Sequence, residues 1–150
     1  MKEGRSITYV FLLVAMILGL WGCQGTGRDG IKVAGTTPWT DSGIHVKKGQ
    51  MIRVLAAGDV YVNKKIRSGP NGVGDVTVKP ITKLVFRGYN VTSEAGHGAL
   101  IGRIGKKGTP FLLGEKGEVK AQASGSLFLG VNDSDLQNNG GHYVAKVSVR

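Results

Sequence analysis

From residue 31 onward, short apolar runs alternate with glycine-rich or charged turns. Met51-Ile52-Arg53-Val54-Leu55-Ala56 follows the turn Lys48-Gly49-Gln50, and Val60-Tyr61-Val62 follows a second turn at Gly58-Asp59. Ala99-Leu100-Ile101-Gly102-Arg103-Ile104 stops at Gly105-Lys106-Lys107-Gly108, and Phe111-Leu112-Leu113 stops at Gly114. Residues 81–86 form another apolar run, and residues 118–122 and 126–132 read as further strands. Near the C-terminus, Tyr143, Ala145, Val147 and Val149 alternate with His142, Val144, Lys146 and Ser148, the period of a half-buried strand. No window supports an amphipathic helix longer than about ten residues. Turn signals at this spacing predict an all-β sandwich. Residues 68–98 are the least regular. They are expected to form long loops over one end of the sheets, where such folds keep their binding groups.

Composition agrees. Glycine supplies 25 of 150 residues, against an average usage of about 7%, with only 4 prolines and no tandem period. That favours many tight turns over a collagen-like repeat. The N-terminus changes the picture. Lys2 and Arg5 precede an apolar run at residues 10–21, too short to span a bilayer comfortably. The run ends in Leu20-Trp21-Gly22-Cys23, which resembles the cleavage box of bacterial lipoproteins, although Trp21 is bulkier than that pattern prefers. Residues 1–22 are therefore expected to be a lipoprotein signal peptide. Residues 23–34 would comprise the lipidated, palmitate-bearing Cys23 and a flexible tether, and residues 35–150 the sandwich domain. The plainer alternative is an uncleaved anchor or an accidental cysteine. Cys23 is the only cysteine, so no disulfide can form within the chain. Gln24, rather than Asp, after the cysteine points to the outer membrane in the Gram-negative pattern.

The formal charge is +10. Such a surface attracts anionic polymers or headgroups. The lysines are scattered as the pairs Lys47-Lys48, Lys64-Lys65 and Lys106-Lys107 beside turns, with no interleaved aromatics to stack bases. Nucleic acid is therefore not an expected partner. No paired carboxylates, nucleophile with its base, phosphate loop or Cys/His metal cluster is visible, so no enzymatic activity is expected.

One stretch concentrates chemistry: Val131-Asn132-Asp133-Ser134-Asp135-Leu136-Gln137-Asn138-Asn139-Gly140-Gly141-His142-Tyr143, with six carboxylate or carboxamide side chains between two strand-like runs. These are hard oxygen ligands, and calcium tolerates irregular arrangements of them. Asp133 supplies a full charge, Asn138 and Asn139 neutral oxygens, and Gly140-Gly141 allow the chain to reverse. The plainer reading is a hairpin connection with Asp133 capping a turn.

Trp39-Thr40-Asp41-Ser42-Gly43-Ile44, Gly98-Ala99-Leu100-Ile101-Gly102-Arg103-Ile104-Gly105, and Leu127-Phe128-Leu129-Gly130-Val131-Asn132-Asp133 with Asn138-Asn139-Gly140-Gly141 together resemble the PA-IL-like (LecA-type) galactophilic lectins of bacteria. The resemblance spans nearly all of residues 37–149. It implies a galactose-binding-like jelly-roll β-sandwich and a calcium ion (Ca2+) whose open coordination places take sugar hydroxyls. The implied ligands are the side chains of Asp133, Asn138 and Asn139 and the backbone carbonyls of Leu136 and Val62. Asp133, Asn138 and His97 would then meet the carbohydrate, His97 as a hydrogen-bond donor; the plainer role for His97 is a loop histidine. Residues 68–75 lack the His and Gln with which the family contacts galactose, leaving Asn71 and Asp75 as the polar substitutes. Trp39 either stacks on a sugar or closes the core. The expected protein is thus a lipid-anchored, calcium-dependent carbohydrate binder, compatible with oligomer formation. The alternative is a structural envelope lipoprotein that holds anionic polymers or a protein partner.

Overall fold

The structure is a computed structural model that describes residues 24–25, 29–74 and 79–150. Residues 1–22, expected to be a signal peptide, together with Cys23 and Asp75 lie outside the described residues. Among the described residues, ten strands and one α-helix follow in order: β1 (Gln24–Gly25), β2 (Ile31–Ala34), β3 (Thr40–Val46), β4 (Met51–Val62), β5 (Ile66–Ser68), α1 (Pro80–Arg87), β6 (Leu100–Ile104), β7 (Phe111–Leu112), β8 (Lys116–Lys120), β9 (Gly125–Val131) and β10 (Gly140–Val149).

They form two antiparallel sheets. The larger is built on β10, which pairs with β4 from Gly140↔Tyr61 to Val149↔Ile52 and takes β1 and β2 on its other side. The far side of β4 takes β5 and β8. The smaller sheet runs β3-β9-β6-β7. The alternation read from β10 is realised: Tyr143, Ala145, Val147 and Val149 are buried, and they meet Val33, Val54, Leu100, Leu127, Leu129 and Val131 in one core between the sheets. Apolar burial of this kind is worth about 25 cal/mol per Å². It is what commits each strand to one register, because a one-residue slip would turn the whole set outward. The protein is an all-β sandwich.

Three sequence expectations change. The turn at Gly58-Asp59 is not a turn, because β4 runs through it. Gly58 has φ +101°, and a Cβ there would lie 2.6 Å from the His142 carbonyl oxygen, so glycine is needed for close passage against β10. The apolar run at residues 81–86 belongs to α1. Pro80 occupies its first turn, where the missing N–H costs nothing, and Phe86 inserts into the core. The tether boundary at residue 34 moves back, since Ile31–Ala34 pairs with β10 and Val33 is fully buried.

Candidate functional site

The loop after β9 lies at the end of the sandwich where Asn63, Lys64 and residues 89–98 also converge. Its organiser is Asn132, which is fully buried. Its Oδ1 accepts the Thr92 amide at 2.9 Å, while Nδ2 faces the carbonyls of Thr92, Ala95 and Gly96 at 3.1, 2.8 and 3.0 Å. The Gly98 amide donates to the Asn132 carbonyl at 3.1 Å. Residues 92–98 are thereby fixed to the start of the loop. Tyr143 supports them from the core. Its hydroxyl lies 2.8 Å from the Gly98 carbonyl and 3.0 and 2.9 Å from those of Ser68 and Gly69, and burial raises its pKa above the ordinary phenol value. Gly98, at φ +75°, has no room for a Cβ, which would stand 2.5 Å from Ser68 Oγ.

Asp133 is 3% exposed. Its Oδ1 accepts the Asp135 amide at 2.9 Å, and its Oδ2 accepts Asn139 Nδ2 at 2.9 Å. Asn139 also donates to the Gly35 carbonyl at 3.2 Å, while its own Oδ1 is buried with no hydrogen-bond partner. Asn138 is turned toward the β4–β5 hairpin. Its Oδ1 accepts the Asn63 amide at 2.9 Å, its backbone carbonyl accepts the Lys64 amide at 2.9 Å, and its Nδ2 donates to Asp135 Oδ2. Asn63 and Lys64 both have positive φ, and this contact joins the loop to the end of β4 immediately after Val62. Leu136 opens a 3-10 turn, and its carbonyl accepts the Asn139 amide at 3.2 Å.

His97 is 8% exposed and stacks on Phe86 with ring centroids 4.2 Å apart. Its Nδ1 is 2.9 Å from Asn90 Oδ1, and its Nε2 is 3.6 Å from Asp133 Oδ2. At 3.6 Å, Nε2 is too far from the Asp133 carboxylate for a hydrogen bond.

Burial lowers the His97 pKa, with Asp133 opposing. A folded-state pKa below the unfolded value means the unfolded chain binds more protons. Stability is therefore expected to fall as pH drops below about 6.5 and on through the lower folded value. Chemical denaturation at pH 7.5, 6.5 and 5.5 checks this, with His97→Gln expected to flatten the dependence.

Asp133, Asp135, Asn138, His97 and Asn63 face one cavity of about 220 Å³, walled by Val85, Phe86 and Tyr89. A larger recess of about 740 Å³, lined mostly by residues 90–97, shares Phe86 and His97 with it. The fit to a hard cation rests on the donor set: two carboxylates, two carboxamide oxygens and a turn carbonyl. The buried, unpartnered Oδ1 of Asn139 beside Asp133 is an acceptor that a cation would satisfy. Among the described residues no three His, Cys, Asp or Glu side chains gather as a metal site, so such a cation would depend on the carboxamides.

Other sequence candidates are placed elsewhere. Trp39 lies on the outer face of the smaller sheet, flat against Gly130 and beneath the Arg103 guanidinium at 4.1 Å. Asn71 Oδ1 accepts the Glu115 amide at 2.9 Å and is engaged in that turn. Asp135, Asn132, Asn63 and Asn90 were not among the predicted site residues. The dense Asn/Asp spacing signals the first two, and Asn90 sits in Asn90-Val91-Thr92, which reads as an idle sequon.

Fold and site together define a β-sandwich with an oxygen-rich loop at one end. No protein-family model and no curated protein sequence matches the chain. Among solved structures, it is similar to the N-terminal domain of EclA, described as a PllA-like lectin, with a TM-score of 0.58 and 21% identity over 83% of this chain and 100% of that one. At that identity the likeness is one of fold.

Proposed function

We propose that the protein is a non-enzymatic, calcium-dependent carbohydrate-binding sandwich. It would be held at the cell envelope, on the outer membrane of a Gram-negative bacterium, by lipid at Cys23. The observation that carries the reading is the buried Asp133 carboxylate beside the unpartnered Asn139 Oδ1, at the wall of a small polar cavity. Asp133, Asn138 and Asn139 would hold the ion through side chains, Leu136 and Val62 through carbonyls, and Asp135 would add a second charge. Asn138 Oδ1 accepts one amide and keeps a second lone pair for this. Calcium takes roughly 6–8 oxygen ligands, so when bound it leaves places for a vicinal diol. His97 would hydrogen-bond a sugar hydroxyl, and Asp133 and Asn138 would meet the same sugar. The neighbouring recess gives room for a glycan longer than one residue. The lectin description of the similar solved domain supports this reading. A preference for galactose has less support, since Asn71 is occupied elsewhere.

A second reading, adhesion of a structural lipoprotein to anionic envelope polymers, is favoured by one observation. Lys47, Lys48, Lys64, Lys65, Lys106 and Lys107 are all exposed. A glycan array run with calcium, with chelator, and at two salt concentrations separates the readings. Lectin binding is expected to vanish with chelator and to change less than about twofold with moderate salt. Polymer adhesion would ignore the chelator and weaken steeply, because charges more than about 8–10 Å apart are screened.

A further inference from the structure

At the opposite end of β6 from the loop, the two sheets leave an opening. β7 edges the smaller sheet and β8 edges the larger one, and between them lies a cavity of about 650 Å³. That size falls within the roughly 300–1,000 Å³ of small-molecule sites. Its floor is apolar. Ile104, Phe111 and Val119 pack against the core yet remain only partly covered. Its rim is cationic. Lys107 and Lys120 are exposed, and neither is ion-paired among the described residues. The acid on this rim, Glu118, is held by Arg53, with Nε–Oε2 at 3.0 Å and a second contact at 3.2 Å, so its charge is already matched.

An apolar floor beneath two unmatched ammonium groups suits a ligand with a chain and an anionic head. We propose that this cavity binds a long-chain carboxylate, its chain laid on Ile104, Phe111 and Val119 and its head between Lys107 and Lys120. A polar glycan would leave the floor unsatisfied, and a neutral or cationic amphiphile would leave the lysines without a partner. The site shares no residue with the calcium loop and needs no cation, so the proposal stands or falls apart from the lectin reading.

The test is calorimetric titration of the full chain with dodecanoate, below its micelle concentration and in the presence of chelator. One molar equivalent is expected to bind. Lys107→Glu with Lys120→Glu is expected to weaken binding about tenfold. Ala123→Trp, at an exposed position on the cavity wall, is expected to abolish it. Dodecyltrimethylammonium is expected to bind at least about tenfold more weakly than dodecanoate. Absence of dodecanoate binding, unchanged binding in the lysine double variant or in a folded Ala123→Trp, or equal binding of the cationic amphiphile would overturn the proposal. Thermal melts establish folding. Should Ala123→Trp not fold, the lysine variant, altered only at the surface, decides alone.

Discussion

Asp133→Ala is expected to remove the calcium response and with it carbohydrate binding. Asp133 is the only carboxylate of the loop that is nearly fully buried, and a buried charge without a bound cation keeps only neutral hydrogen bonds and a nearby uncharged ring for compensation. Few charges in the donor set place the affinity in the weak, extracellular class, with a dissociation constant on the order of 10⁻⁴–10⁻³ M. At a calcium concentration one hundred times that constant, the native state gains about 2.7 kcal/mol by mass action. For a domain of this size that gain raises the melting temperature by roughly 8–13 °C. The variant should show no rise at all. It also leaves the Asp135 amide without its acceptor and Asn139 Nδ2 with the Gly35 carbonyl alone, so its melting point without calcium should fall as well. Comparing each protein with and without calcium separates the two effects. A wild-type calcium titration in Asp133→Ala would show that the ion, if bound, sits elsewhere.

Much of this arrangement was legible in the sequence where the signal is local. The period of two in β10 fixes which residues face the core, since Tyr143, Ala145, Val147 and Val149 have no other way to be buried together. The run from Asn132 to Asn139 announces an oxygen-rich loop because nothing else explains so many short polar side chains between two strands. What stayed hidden depends on distant partners. An apolar run as short as residues 81–86 fits strand or helix equally, and α1 is settled by Pro80 and by the place Phe86 finds against His97. Gly58 reads as a turn residue until β10 is laid beside it. Asn90 becomes meaningful only when His97 is beneath it at 2.9 Å.

The same dependence gives the loop its rigidity. Residues 92–98 have no strand of their own, and the Thr92 amide and the Thr92, Ala95 and Gly96 carbonyls meet one asparagine side chain while the Gly98 carbonyl meets one tyrosine hydroxyl. A loop held this way is as ordered as its buried polar fork, and His97 is carried on it. The geometry of the candidate site therefore rests on residues that touch neither ion nor sugar.

Asn132→Ala is accordingly expected to destabilise the protein by about 3 kcal/mol, the cost of stranding the Thr92 amide and the buried Ala95 carbonyl. That is a large share of a typical total of roughly 5–15 kcal/mol. Asn132→Asp should be at least as damaging. It keeps an acceptor for the Thr92 amide but sets a second oxygen against three carbonyls at 2.8–3.1 Å, with a charge buried among them. Urea denaturation of the two variants measures both costs. The order matters more than the size. If the fork acts by donating, aspartate is no better than alanine, whereas a side chain that merely filled space would let aspartate recover most of the loss. Calcium-dependent glycan binding by whatever fraction of Asn132→Ala remains folded should also fall, because the loop bearing His97 loses its side-chain ties to the residue beside Asp133 and keeps only the backbone bond from Gly98. Full binding by the folded variant would mean that the 92–98 segment holds its place without Asn132.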